Sequence, residues 1–241
     1  MSELDRYLAE LNARLRAILG PNLVGVYAGG SYALGEYLQG RSDIDVAVVA
    51  EHEPSRETKE RIVAVLRHDS LPCPARGLEL VLYERAAVAR PTGDAAFALN
   101  LNTGARMPFR ADFEPGGIEA HWFAIDRSIL AECGVAIAGP PAREVFAPIP
   151  RALVLPIVAE SVRWHTHGEA AGDDAVLNAC RAWRFVAGGV WSSKRAAAEW
   201  AQARTDAPVI AQALAARHGA APVEPSAAAA FVRSVAARIG A

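Results

Sequence analysis

The run of eight residues DIDVAVVA, from Asp43 to Ala50, constrains the fold of this chain more than any other segment. After its acidic start it is unbroken apolar sequence, which is typical of a strand buried on both faces. Two other β-rich runs lie nearby, LVGVYA from Leu23 and LELVLYE from Leu78, and a helical pattern occupies residues 54–68. This alternation of strands and helix predicts a small α/β domain with a short mixed sheet.

The rest of the chain has a different pattern. From about His121 the β signal disappears, and Ala-rich segments with a 3.6-residue period follow, interrupted by Pro and Gly. We predict five or six helices packed as an all-α bundle. We place the two domains at residues 1–120 and 121–241, and turn residues of mixed polarity between Asn100 and Gly117 predict a loop or linker.

The charge balance argues against several classes of protein. The chain has 25 basic and 27 acidic residues, so it lacks the cationic field expected of a protein that binds nucleic acid or an anionic membrane. No apolar run approaches the ~20 residues of a membrane helix, and the N-terminal segment has no signal-peptide core. Three distant cysteines (Cys73, Cys133 and Cys180) fit a reducing compartment. We therefore expect a cytoplasmic protein. We also expect it to be a monomer.

A glycine-rich turn follows the first β-rich run. Gly29 and Gly30 allow a sharp turn and a close approach of the backbone to a ligand, because no Cβ stands in the way. Ser31 places a hydroxyl at the start of a predicted helix, where unpaired N–H groups favour an anion. This segment is a candidate phosphate-binding turn.

Three acids follow this turn on two predicted strands. Asp43 and Asp45 are separated by one residue, so on a strand their carboxylates project from the same face. Glu79 interrupts the third run and alternates with its leucines, so it points away from the leucine-rich face. Carboxylates gathered in this way repel one another unless a cation lies between them, and hard oxygen ligands suit Mg²⁺.

Such acids after a Gly–Ser turn favour nucleotidyl transfer, with Mg²⁺ bridging triphosphate oxygens and Glu79 accepting a proton from the attacking hydroxyl. Each acid also has a structural explanation when it is taken alone. Asp43 would cap its strand, Asp45 would be solvated at an edge, and Glu79 would pair with Arg76. The complete pattern in matching secondary structure favours catalysis.

With these residues the sequence resembles the nucleotidyltransferase superfamily named after DNA polymerase β, whose GS…DxD signature reads here Gly30-Ser31…Asp43-Ile-Asp45. More closely, it resembles the streptomycin/spectinomycin adenylyltransferases, in which a nucleotidyltransferase domain precedes an all-helical domain. Further matching segments are Arg76-Gly-Leu-Glu79-Leu-Val, Val145-Phe146-Ala-Pro148-Ile-Pro150, Arg181-Ala-Trp183, Ser193-Lys194 and Glu199-Trp200. The resemblance implies an antibiotic-resistance enzyme that transfers AMP from ATP to a hydroxyl of an aminoglycoside.

The resemblance also implies roles for the acids of the first domain. Asp43 and Asp45 match the Mg²⁺-binding aspartates of the family, and Glu79 matches its catalytic base, which also contacts the metal. One or two Mg²⁺ ions are expected as cofactor, with ATP as co-substrate.

Nucleotide contacts are implied in both domains. Lys194 is one of only two lysines in the chain, and its compact ammonium group suits a phosphate. Arg181 lies on the preceding predicted helix and could face the same triphosphate. The expected ATP-binding residues are Gly30, Ser31, Ser42, Asp126, Arg181 and Lys194.

The acceptor-binding positions are matched less completely. Trp164 and one acid of the pair Asp173 and Asp174 match positions where the family holds the aminoglycoside, and the acceptor is expected in the cleft between the domains. The segment Leu99–Gly104 lacks the aromatic residue of the family, and a tyrosine near the nucleotide is replaced at about Arg217-His218.

Two other functions stay open at the level of sequence. The first is adenylylation of another small molecule or of a protein, because the changes at residues 99–104 affect the acceptor more than the chemistry. The second is a non-catalytic module such as an antitoxin of the nucleotidyltransferase type. The presence of Glu79 and of the long helical region argues against this second function, since binding alone needs neither.

Overall fold

A computed structural model describes residues 2–166 and 172–240 and divides the chain into two compact units, Met1–Ile149 and Pro150–Ala241. The first unit is built on a six-stranded sheet. Its strands are β1 (Leu23–Ala28), β2 (Ile44–Ala50), β3 (Leu78–Glu84), β4 (Phe97–Gly104), β5 (Met107–Asp112) and β6 (Val135–Ala138). The order across the sheet is β5-β4-β3-β2-β1-β6, with β2 and β3 parallel and the other neighbours antiparallel. The predicted mixed sheet is confirmed.

Six α-helices and one 3₁₀ turn (Gly20–Asn22) accompany the sheet among the described residues of this unit. The helices are α1 (Glu3–Leu19), α2 (Gly30–Ala33), α3 (Arg56–Leu66), α4 (Arg85–Val88), α5 (Ala120–Cys133) and α6 (Ala142–Val145). Helix α1 begins at a capping box, in which Ser2 accepts from the Asp5 N–H and Asp5 accepts from the Ser2 N–H.

Strand β2 is buried on both faces, as its apolar sequence predicts. On one face Ile44, Val46 and Val48 belong to a core that includes the leucines of α1 and the buried side of α3. On the other face Ala47 and Val49 pack in a second core with Phe123 and Leu130 of α5. The sheet therefore lies between helices on its two sides.

Two sequence predictions for this unit are wrong. Residues 100–117 are not simply a loop, because they contain most of β4 and all of β5. The chain also forms β6 after residue 121, and this strand pairs with β1. Because α5 and β6 pack with the sheet, the first compact unit extends to Ile149, beyond the boundary predicted at residue 120.

In the second unit, all the regular elements among the described residues are helices. Its helices are α7 (Arg151–Trp164), α8 (Asp173–Gly188), α9 (Lys194–Gln202), α10 (Pro208–Ala216) and α11 (Pro225–Ile239). Helix α8 packs against each of the other four, and its buried side includes Val176, Cys180 and Trp183. These five helices in the described part of the unit agree with the predicted bundle. None of the helices that the structure describes has the length and apolar character needed to span a bilayer.

Candidate active site

Strand register brings two of the predicted acids together. Asp45 and Glu79 are the second residues of β2 and β3, and in this parallel pair they lie directly opposite each other. Adjacent strands are about 4.8 Å apart, so both side chains leave the same face of the sheet as close neighbours. On its other side Glu79 lies opposite Asn102 of β4. Glu79 therefore occupies the middle of a row on the face that α5 covers.

The glycine turn lies against this row. The Gly29 N–H donates to the Asp45 carbonyl at 2.9 Å. Gly30 has a φ of +48°, and a Cβ at this position would lie 1.7 Å from Asp45 Oδ2. Only glycine fits between the turn and the carboxylate, so Gly30 sets how closely the backbone approaches the acids.

Ser31 follows Gly30 in the chain, and its hydroxyl differs from that of Ser42 in its hydrogen bonding. Within the described residues, the Ser31 Oγ is buried and has no hydrogen-bond partner. A buried hydroxyl in this state is costly unless a ligand completes its hydrogen bonds. The Ser42 Oγ already accepts from the Leu38 N–H at 3.0 Å and closes the turn before β2. Ser31 is thus the better placed of the two to contact a ligand.

The electrostatics of the site are dominated by negative charge. The pKa of Glu79 is raised to about 8, first by burial and then by the charges of Asp45, Asp43 and Asp126, while Arg76 acts in the opposite direction. Three neighbouring acids thus act on the carboxyl group of Glu79. The arrangement favours a cation of high charge, and carboxylate oxygens are the ligands that Mg²⁺ prefers.

Arg76 supplies a positive charge to this cluster. Its guanidinium makes a bidentate salt bridge with Asp43, with Nε–Oδ1 and Nη2–Oδ2 distances of 2.5 and 2.7 Å. The side chains are 43% and 22% exposed. The sequence-based structural explanation paired Arg76 with Glu79, whereas this bidentate bridge is made to Asp43.

Helix α5 carries the fourth acid, Asp126, to the site. The next residue, Arg127, is buried and donates to the carbonyls of Thr92 and Asp94 at 2.8 and 2.5 Å. These bonds tie α5 to the segment after α4 and hold the helix over the sheet. The family resemblance implies a site role for Asp126. No feature of the sequence indicates that Arg127 anchors the helix.

In the second unit, a separate charged cluster forms where α8 and α9 begin. Asp173 and Asp174 are the first residues of α8, and Lys194 is the first residue of α9. The Lys194 Nζ donates to Asp174 Oδ1 at 2.7 Å. Arg181 of α8 donates to the Asn178 side chain at 3.2 Å. Burial lowers the pKa of Lys194, and the charge of Arg181 adds to this effect.

Two further residues of the second unit bear on the sequence predictions. Arg217 lies with Nη1 3.7 Å from the same Asp174 oxygen, and sequence reasoning noted this position only as a replaced tyrosine. Trp164, at the end of α7, is 39% exposed and packs edge-to-face on His165. An exposed indole at a helix end can form one wall of a binding surface for a cationic ring.

Comparisons with known proteins cover both units. The model of the nucleotidyltransferase domain matches residues 8–85, and that of the aminoglycoside adenylyltransferase C-terminal domain matches residues 144–240. Aminoglycoside (3'') (9) adenylyltransferases from Shigella flexneri and Escherichia coli are 28% identical over 227 residues, covering 88% of this chain and 85% and 84% of theirs. A spectinomycin 9-adenylyltransferase from Staphylococcus aureus is 27% identical over 201 residues, which are 78% of this chain and 74% of the relative.

A solved structure extends the likeness to the fold. It is a spectinomycin adenyltransferase from Enterococcus faecialis crystallised with ATP and spectinomycin. The TM-score is 0.72 at 16% identity, and the match covers 98% of this chain and 99% of that one. At this identity the likeness shows that the two chains share a fold.

Proposed function

The chain belongs to the aminoglycoside adenylyltransferase family, and we propose that it transfers AMP from ATP to a hydroxyl of a streptomycin- or spectinomycin-like acceptor. The observation that carries this proposal is the register of Asp45 with Glu79, next to Asp43 and against the Gly30 turn. The relatives with adenylyltransferase activity in their names support the reaction class.

Three carboxylates would hold the cofactor. Asp43, Asp45 and Glu79 offer a set of oxygen ligands beside the turn, and burial together with the neighbouring acids raises the pKa of Glu79 in the metal-free protein. Bound Mg²⁺ would supply positive charge against the triphosphate. The Ser31 hydroxyl, which lies buried on the same turn, would donate to a phosphate oxygen.

Glu79 is the proposed base. An acceptor hydroxyl oxygen attacks the α-phosphorus of ATP, its proton passes to a Glu79 carboxylate oxygen, and the bond to the pyrophosphate oxygen breaks. A carboxyl whose pKa is about 8 in the free protein holds a proton more readily than an ordinary glutamate. The strand register also places Glu79 between Asp45 and Asn102, next to one of the proposed metal-binding acids.

The direct test is pyrophosphate release from ATP and Mg²⁺ with streptomycin or spectinomycin, together with mass spectrometry of the modified drug. We expect stoichiometric release and one AMP adduct per acceptor. If no member of an aminoglycoside panel is modified, the acceptor assignment is wrong. Release with a different hydroxylated amine would keep the chemistry and change the substrate class.

A further inference from the structure

The cluster at the start of α8 and α9 has an unusual charge arrangement. Two cations share one carboxylate oxygen, because Asp174 Oδ1 lies 2.7 Å from Lys194 Nζ and 3.7 Å from Arg217 Nη1. Burial lowers the pKa of Lys194, Asp174 acts in the opposite direction, and the charges of Arg181 and Arg217 lower it further. Three basic groups of this unit therefore lie within electrostatic reach of one another.

Burial makes this arrangement costly for the protein alone. The Arg217 side chain is only 8% exposed and that of Lys194 is 24% exposed, whereas Asp174 is 54% exposed. The partner of the buried cations is thus the most accessible member of the cluster. Lys194 also opens α9, where the helix dipole disfavours a cation, and the first turn of that helix contains no acid. An anion arriving from solvent would reach the cations at the place that Asp174 now occupies.

We propose that Asp174 is the internal counter-ion of a polyphosphate site that Arg217 completes beside Lys194, and that Asp174 does not hold the acceptor. This inference rests on the proposed function, in which the triphosphate of ATP is the ligand. A phosphate oxygen in place of the carboxylate would accept charge-assisted hydrogen bonds from the ammonium and the guanidinium.

The same geometry argues against a role for Asp174 in binding the acceptor. An ammonium group of an aminoglycoside at Asp174 would lie beside Lys194 and Arg217, and like charges at such distances repel. Of the two adjacent acids, Asp173 is then the one left for the acceptor. Successive residues of a helix point about 100° apart, so neighbouring acids can face different ligands.

The neighbouring acids allow a matched test, with isosteric substitutions one residue apart. Calorimetry with the full-length protein measures the affinity for Mg·ATP and for inorganic tripolyphosphate, and steady-state kinetics measures KM for the acceptor. In Asp174→Asn we expect both affinities to rise about three- to tenfold and the acceptor KM to stay within about twofold, because the competing charge is removed. In Asp173→Asn we expect the reverse, with a raised acceptor KM and unchanged tripolyphosphate binding.

Arg217 is tested in the same titrations. Arg217→Gln should weaken tripolyphosphate binding by about tenfold, and Arg217→Lys should retain most of it because the charge is kept. The control is Arg233→Gln on α11, at an exposed position, which should change nothing. If the Gln variant does not fold, as judged by circular dichroism, the Lys variant and Asp174→Asn still decide the question.

The outcomes separate this inference from the proposed function. A raised acceptor KM in Asp174→Asn with unchanged polyphosphate affinity overturns the inference. Normal AMP transfer with no effect of either Asp174→Asn or Arg217→Gln also overturns it and leaves the function standing. The expected binding pattern without transfer to any aminoglycoside supports the inference and overturns the function. No binding of Mg·ATP or tripolyphosphate to the wild type overturns both.

Discussion

Replacing Glu79 with Gln should stabilise the metal-free protein at neutral pH while it removes the proposed base. The pKa of Glu79 is raised from 4.5 to about 8 in the folded protein. A raised folded-state pKa means that this group's contribution to stability is fully present below pH 4.5 and is lost as the pH rises towards 8. Gln is neutral at every pH, so the variant lacks this loss.

The size of the effect follows from the two pKa values. Between pH 5 and pH 7.5 the unfolded chain ionises at this position while the folded chain stays mostly protonated, which costs the wild type about 3 kcal/mol of its unfolding free energy. The advantage of Glu79→Gln over the wild type should therefore grow by roughly this amount across the interval. At pH 5 the ionisation of the unfolded chain has cost the wild type only about 0.8 kcal/mol, so the advantage of the variant should be small there.

Urea denaturation in the presence of EDTA at both pH values measures the difference. The control is Glu114→Gln, because Glu114 is exposed and distant in sequence from the acids. The same Glu79 variant should lose about a thousandfold in AMP transfer. A stability difference that is the same at pH 5 and pH 7.5 would refute the electrostatic argument, and turnover within tenfold of the wild type would refute the assignment of the base.

Three other predictions concern the turn and the metal. Gly30→Ala should destabilise the protein by at least about 1–3 kcal/mol and abolish transfer, because its Cβ would meet Asp45 at a positive φ. In the same thermal and activity assays Gly35→Ala, which has positive φ but open space, should keep transfer. Ser31→Ala should stabilise the ligand-free protein by about 1 kcal/mol, because it removes a buried hydroxyl that has no partner among the described residues, yet raise KM for ATP. Mg²⁺ should raise the Tm of the wild type more than that of Asp45→Asn, and an equal shift in the two proteins would contradict the placement of the metal. EDTA should stop pyrophosphate release by the wild type.

The parts of the fold that sequence predicts are those with a strong apolar pattern. Strand β2 has an unbroken apolar run, and the pattern alone places it in the centre of a layered domain. The sequence pattern does not predict β4, because Asn100 and Asn102 interrupt its apolar residues. The strand nevertheless lies inside the sheet, where Asn100 donates to Asp112 of β5. The four residues of β6 are alanine-rich and resemble the helical segments around them. Pairing with β1, which no local pattern reports, decides their conformation.

In the candidate site, too, some features follow from the local sequence pattern and others depend on how the elements pack. Alternation along a strand is a local property, so it predicts that Asp43 and Asp45 share a face and that Glu79 points away from the leucines of β3. The register of β2 with β3 then places Asp45 opposite Glu79. The bridge from Arg76 to Asp43 joins residues 33 positions apart, and the pairing of Arg217 with Asp174 joins the turn after α10 to the start of α8. Such partners depend on how the elements pack, and spacing in the sequence does not report them.

These two long-range pairs have a common consequence for ligand binding. The acid cluster of the first unit already holds an internal cation, Arg76, and the basic cluster of the second unit already holds an internal anion, Asp174. Arg76 and Asp174 are 43% and 54% exposed, whereas the groups that they pair with are more buried. The internal partner therefore limits the cost of like charges in the free protein, and its exposure lets a ligand of the same sign reach the place that it occupies. Preformed clusters of high charge can persist in a marginally stable chain when each carries such an exchangeable partner.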